Sequence, residues 1–459
     1  MAKIVKLLSV AIFAGLLALP VTAQSLADTF VAAYRNSNLL DQNRAVLRAA
    51  DEDVAQAVAS LRPVLNFVAR MQGQVQNTGM TRETLTGSLN LSAEMTLIDF
   101  GRGRLAREAA EAQVMATRMA LLGVEQQVLL NAARAFMDVR SAAETVALRQ
   151  TTLRLTQQEL NAARERFDLG EITRTDVSLA EARLAAARSM LSAAEGDLSV
   201  AREEYKFATG TYPGQLRQPP ALPRLPASLE AAQNSARHAH PSVRQAQFEV
   251  TAAELGAERA AAARHGSVSA DIRAGVTSDL LNNNPTTRSL SGGVQYARPI
   301  YQGGQISSVH RQALARRDAA RAGLHQTVAQ VLQGVAVQWA QLEVARARIE
   351  AGRQQVRAAQ SAFDGTREEA RLGARTTLDV LNAENDLMDA RTALLQAEAG
   401  VQTASYGLLS AMGLLTVEHL GLGIPTYDPE AYFNAVRNAP VTSPQGEALD
   451  RVLRAIGRE

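Results

Sequence analysis

The 459-residue chain contains no cysteine. That excludes disulfides, thiol nucleophiles, thiolate metal centres and a lipid carried on an N-terminal cysteine. Lysine is almost missing too. It stands only at Lys3, Lys6 and Lys206, and arginine carries the remaining positive charge. The arginines are interspersed with Asp and Glu, and the formal net charge is only +2, so they read as a solvated face and no nucleic-acid partner is expected. Aromatic residues make up only 4% of the chain, and Ala supplies much of the apolar total, which suits closely packed helices better than a thick core. Beyond the N-terminus, no uncharged apolar run reaches the ~20 residues of a membrane-spanning helix, so any membrane insertion of the mature chain must use strands. Proline is absent from Gly103 to Leu169 and again from Gln305 to Leu372. At 1.5 Å per residue, each stretch makes a rod of about 100 Å, far too long for a compact domain.

What is present begins with an export signal. Lys3 and Lys6 precede the apolar run Leu7 to Leu19, and Pro20 with Val21-Thr22-Ala23 offers small residues for cleavage. A signal peptide over 1–23 is expected.

The rest of the chain repeats at an offset of 203 residues: Ser25-Leu26 returns as Ser228-Leu229, Leu169-Gly170 as Leu372-Gly373, Asp176-Val177 as Asp379-Val380, and Gly210 as Gly413. Each copy reads helix, two strands, long helix, sharp turn, returning helix. The copies span 24–212 and 228–415. A Pro-rich linker, 213–227, joins them, and 416–459 reads as an irregular C-terminal segment.

The strands are expected at about 63–76 and 84–98, then at about 267–277 and 289–299. Leu65, Phe67, Ala69, Met71 and Val75 alternate with Asn66, Arg70, Gln72 and Gln74. Leu85, Leu89, Leu91, Ala93, Met95 and Leu97 alternate with Thr, Ser, Asn and Glu. Such period-2 runs put one face in an apolar medium and the other in a polar one. A half-buried soluble sheet would alternate in the same way. The export signal, the strand length and the charges on the polar face favour a membrane barrel. Four strands cannot close a barrel, and open edges facing lipid are costly, so strands from other copies of the chain must complete it. Three copies would give 12 strands; the pattern alone does not choose between two, three and four.

The helices carry a heptad signal. Ala180, Leu184, Ala187, Leu191, Ala194, Leu198 and Ala201 step alternately by four and three, and Ala383, Leu387, Ala390, Leu394, Ala397, Val401 and Ala404 repeat the pattern. A 3.5-residue period specifies left-handed coiled-coil packing.

In this order, with this duplication, the residues resemble the TolC family of outer-membrane efflux and secretion proteins. Pro299-Ile300-Tyr301-Gln302-Gly303-Gly304 resembles the family's strand-to-helix junction, with Leu97-Ile98-Asp99-Phe100-Gly101-Arg102 as its first-copy counterpart. Arg166-Phe167-Asp168-Leu169-Gly170, running on to Thr175-Asp176-Val177, resembles the first helical tip, and Leu372 to Leu381 the second. The match covers about residues 25–415. The resemblance implies a fold that is mainly α with a membrane β-barrel part: a homotrimer with one 12-stranded β-barrel in the outer membrane and a coiled-coil α-barrel in the periplasm. It implies a passive exit duct, gated at tip turns 168–176 and 371–379. Substrate would come from an inner-membrane pump of RND, ABC or MFS type through a periplasmic adaptor (membrane fusion) protein.

By the same resemblance, Asp176 and Arg375 form the periplasmic gate, and Asp379 lines an acidic constriction ring. Asn382, one turn deeper, stands where the family often has a second acid, so the ring should be less negative. The family's gate tyrosine falls at Ala370. Position supports Asp379 independently, since a carboxylate is favoured at the start of a helix, and a ring of such groups attracts cations. Gly170 and Gly373 read as tip-turn glycines; Gly101, Gly103, Gly303 and Gly304 read as strand-to-helix turns, without the spacing or lysine of a phosphate loop. His238 and His240, two residues apart, do not share a helix face. No metal site, cofactor or enzyme constellation is expected. The competing reading is a soluble periplasmic coiled-coil adaptor or scaffold, which leaves the long strands unexplained.

Overall fold

The computed structural model describes residues 23–77, 81–281, 285–440, 447–448 and 451. The expected signal peptide therefore lies outside the described residues, apart from Ala23. The first copy runs α1 (Leu26–Asn36), α2 (Asn38–Ala59), β1 (Val64–Asn77), β2 (Thr81–Ile98), α3 (Arg102–Asp168) and α4 (Arg174–Thr209). The second runs α5 (Leu229–Ala239), α6 (Pro241–Ala262), β3 (Ser267–Asp279), β4 (Thr287–Ala297), α7 (Gln305–Arg371) and α8 (Thr377–Ala411). Most boundaries recur at the same offset. Ser25 and Ser228 both cap their first helices through the hydroxyl.

The four strands form one antiparallel sheet in the order β1-β2-β3-β4. The register keeps chemistry on one side of it. Phe67 pairs with Leu91, Leu91 with Ala274, and Ala274 with Leu290. Three rows further, Arg70 pairs with Ser88, Ser88 with Thr277, and Thr277 with Thr287. One face is thus apolar across all four strands, and the other carries Arg70, Glu94, Asp271 and Arg273. Leu65, Phe67, Met71, Val75, Leu290 and Val294 are each at least two-thirds exposed on the apolar face. The strands are 14, 18, 13 and 11 residues long, enough for the ~9–11 that cross a bilayer. β1 and β4 are the two edges, and neither has a further partner strand among the described residues.

The chain folds as two compact units, and each draws on both copies. One combines the chain through Asp41 with Leu122–His240 and Gln330–Thr426; the other combines Gln42–Leu121, Pro241–Ala329 and the chain from Tyr427. In the first, the heptad alanines and leucines are the core. Ala180 and Leu184 of α4 pack with Leu160 and Ala163 of α3 and Leu381 of α8. Val380, Leu387 and Met388 of α8 pack with Phe363 and Ala370 of α7. In the second, Leu47 and Val54 of α2 meet Val114 of α3.

The C-terminal segment departs from the irregular coil expected of it. Asp428 caps a short helix, α9 (Pro429–Val436), with Pro429 in its first turn, where proline's missing N–H costs nothing. Tyr427 and Phe433 cover the Leu47, Val54 and Val114 cluster. The buried Arg118 donates to the Pro429 carbonyl at 3.2 Å, and its guanidinium lies 5.2 Å from the Phe433 ring centre. The Tyr432 hydroxyl donates to Glu52 at 2.7 Å. One proline and three aromatics clamp this segment down, a signal too sparse to show as periodicity.

Candidate gate at the helical tips

Both long helices end by the same rule. Gly170 sits at φ 77° and Gly373 at φ 78°, the left-handed conformation that glycine adopts without a Cβ penalty. The Gly170 amide donates to Phe167 and that of Glu171 to Arg166; the Gly373 amide donates to Ala370 and that of Ala374 to Glu369. These are paired Schellman bonds, which satisfy carbonyls that the helix end would leave open.

The returning helices start by a common rule as well. Thr173 and Thr376 are N-caps, each closing a capping box with the aspartate three residues on. The Asp176 carboxylate accepts from the Thr173 amide at 2.9 Å and the Thr173 hydroxyl at 2.8 Å. The Asp379 carboxylate accepts from the Thr376 amide at 3.0 Å and the Thr376 hydroxyl at 2.8 Å. Those two bonds, backbone first, hold both carboxyls below the usual carboxylate range, with Arg375 adding to the effect at Asp379. Both acids are therefore ionised at neutral pH.

Arg375 does not reach Asp176 within the chain. Its Nε donates to Glu369 of its own hairpin at 2.9 Å, and no bond between Arg375 and Asp176 occurs among the described residues. Asn382, one turn beyond Asp379, accepts from the Arg183 guanidinium of α4 at 2.9 Å. The neutral amide one turn deeper is thus held by a cation from the neighbouring hairpin.

The strand-to-helix glycines divide. Gly101, Gly303 and Gly304 have positive φ, as expected of turn residues. Gly103 does not. It lies inside the first turn of α3, where an added Cβ would run into the Leu61 side chain and the Asp99 carboxylate, so close approach and not turn geometry favours glycine there. Phe100 takes a φ of 54°, unusual for a bulky residue. Asp99 supports it by accepting the amides of Gly101 and Gly103.

Glu384 went unremarked in the sequence. It lies five residues beyond Asp379 and is only 3% exposed. Its position between Leu381 and Leu387 on the inner face of α8 was the available signal.

An unfinished sheet with one apolar face, joined to long antiparallel helical hairpins that end in capped acidic turns, defines a subunit of an outer-membrane export duct. The family model described as "Outer membrane efflux protein" matches residues 31–211 and 232–414, once per copy. The chain is 36% identical over 421 residues to the outer membrane efflux protein BepC of Brucella suis, covering 91% of each chain. It is 30% identical over 128 residues to the outer membrane protein TolC of Escherichia coli, covering 28% of this chain and 26% of TolC. The fold matches the CmeC outer membrane channel of Campylobacter jejuni with a TM-score of 0.76 at 15% identity, over 91% of this chain and 90% of that one. The chain belongs to the outer membrane efflux protein family.

Proposed function

We propose that three copies join edge to edge, β4 of one to β1 of the next, to close a 12-stranded barrel in outer-membrane lipid. Their hairpins would form a hollow periplasmic duct with the tip turns at its inner mouth. The observation that carries this reading is the sheet: a continuous apolar face bounded by two open edges. In hydrocarbon each unpaired backbone group costs several kcal/mol, so the edges must be paired by another copy. The duct itself holds no energy source. An inner-membrane pump of RND, ABC or MFS type, coupled through a periplasmic adaptor, would load it and select the passenger, whether a small molecule or a secreted protein.

The tip would be the gate. Arg375 would latch against Asp176 of the adjacent helix pair, trading its Glu369 contact for a charge-assisted bond. Three copies of Asp379 would ring the mouth.

Because the chain has no cysteine of its own, single cysteines placed along β1 and β4 report the seam cleanly. Oxidation in isolated outer membranes should give a ladder ending at a covalent trimer, and the purified trimer should conduct in planar bilayers. A ladder that never passes monomer would refute the assembly.

A further inference from the structure

Glu384 lies where α8 crosses α4, and nothing in the duct reading uses it. Its Oε1 has no hydrogen-bond partner among the described residues. Beside it is a cavity of about 40 Å³ lined by Thr152 and Thr156 of α3, by Arg183, Ala187 and Met190 of α4, and by Asn385 of α8. That is room enough for a water molecule, and the Arg183 side chain already lines it. An ionised carboxylate in such a place is costly unless it is paired or hydrated.

Three charged groups face it. Glu159 of α3 opposes its ionisation and Arg367 of α7 favours it, while Arg183 of α4 lines the cavity and holds Asn382. Burial is the larger influence, with Glu159 adding to it, and together they raise the carboxyl to about 7. The side chain therefore changes charge near neutral pH, whereas Asp379, five residues earlier on α8, stays ionised.

Resting on the gate reading above, we propose that Glu384 is a proton-operated pin in the seam between α4 and α8. With the carboxyl neutral, Arg183 stays on Asn382 and ties the two hairpins together at the tip. When the proton leaves to water, the carboxylate draws the Arg183 guanidinium into the cavity. Asn382 is released and the tip loosens. The sign follows from the raised value: the neutral, tied form is fully present below the ordinary Glu range and is lost as pH rises through about 7.

The test uses the full-length trimer. In planar bilayers, wild-type conductance should rise severalfold from acid to mildly alkaline pH, with its midpoint near 7. Glu384→Gln should hold the acid-side conductance at every pH. Arg183→Met, which removes both the resting tie and its alternative partner, should give the alkaline level throughout. An infrared difference spectrum across the same range should lose one buried protonated-carboxyl band in wild type and none in Glu384→Gln. A flat wild-type profile, or a Glu384→Gln profile matching wild type, overturns the pin. A trimer that never conducts sinks the duct reading instead, and the infrared band then decides the proton site by itself.

Discussion

At the start of their long helices the two copies meet one geometric requirement with different residues. Two successive positions take positive φ at each junction: Phe100 and Gly101 in the first, Gly303 and Gly304 in the second. The second copy uses glycine twice. The first keeps a phenylalanine there and braces the turn with the Asp99 carboxylate. At the far end the copies agree in backbone, with Gly170 matching Gly373 and the Thr173–Asp176 box matching Thr376–Asp379, yet Ile172 stands where the second copy has Arg375. The lesson is a division of labour. Glycine, threonine and aspartate at fixed places hold the repeat's frame, and the residues between them are free to diverge. Ile172 packs on the Leu160–Leu184 cluster, while Arg375 is exposed and ion-paired.

The strongest way to break the equivalence of the copies is through the sheet. Met71 and Ala274 are counterparts on the apolar face near mid-strand. Met71→Arg and Ala274→Arg should each cost about 2–4 kcal/mol if that face meets lipid at the bilayer centre. Both should prevent recovery of the proposed trimer from detergent extracts, while Gln72→Arg on the polar face should leave it intact. Tolerance of both apolar-face substitutions would show that the face does not meet lipid.

The tip frame should respond more weakly and symmetrically. Nothing lies within 4 Å of a Cβ built at Gly170 or Gly373, so alanine there meets only the backbone penalty, about 1–2 kcal/mol. Thr173→Ala and Thr376→Ala should each cost about 1 kcal/mol through the lost cap. Thermal melting of the trimer should place the members of each pair close together. A large asymmetry would mean that one turn is held by something other than its own caps.

Arg375→Ala sharpens the contrast between the copies. The Arg375–Glu369 pair is exposed to solvent, and water screens such pairs, so melting should barely move. Conductance should rise, because the latch is lost. Ile172→Ala, at the counterpart position, should do the reverse: lower the melting temperature and leave conductance near wild type. Unchanged conductance in Arg375→Ala would remove the latch.

Much of this was legible in the sequence because the governing patterns are periodic or local. The alternation over Leu65–Val75 gives a strand whatever it pairs with, and Thr-x-x-Asp after Leu-Gly gives a capped turn from four residues of local chemistry. The features that escaped depend on distant partners. Gly103 looks like a turn glycine until Leu61 is placed against it. Asn382 looks like a lost acid until Arg183 arrives from a residue 199 positions away. Glu384 is one polar residue in a helix rich in them, and only the packing of α3 and α4 shows that it is sealed in.

The smallest expected effect separates the two capping aspartates. Asp176 and Asp379 occupy the same place in the same box, and asparagine at either still offers an oxygen to the threonine amide, so neither substitution should cost the fold much. Their consequences for the pore should differ. Asp379 lies one turn from Asn382 on the helix read as lining the mouth, and a ring of its charge attracts multivalent cations that plug the opening. Asp379→Asn should therefore weaken block by such cations added on the periplasmic side, with conductance otherwise little changed. Asp176→Asn should leave block as it was and raise conductance by weakening the latch. Since the Thr376 amide and hydroxyl hold the Asp379 carboxyl below its usual range, the block it causes should not vary between about pH 6 and 8, whereas the opening governed by Glu384 should. Equal block in wild type and Asp379→Asn would take Asp379 out of the ring and leave it only its role in the cap.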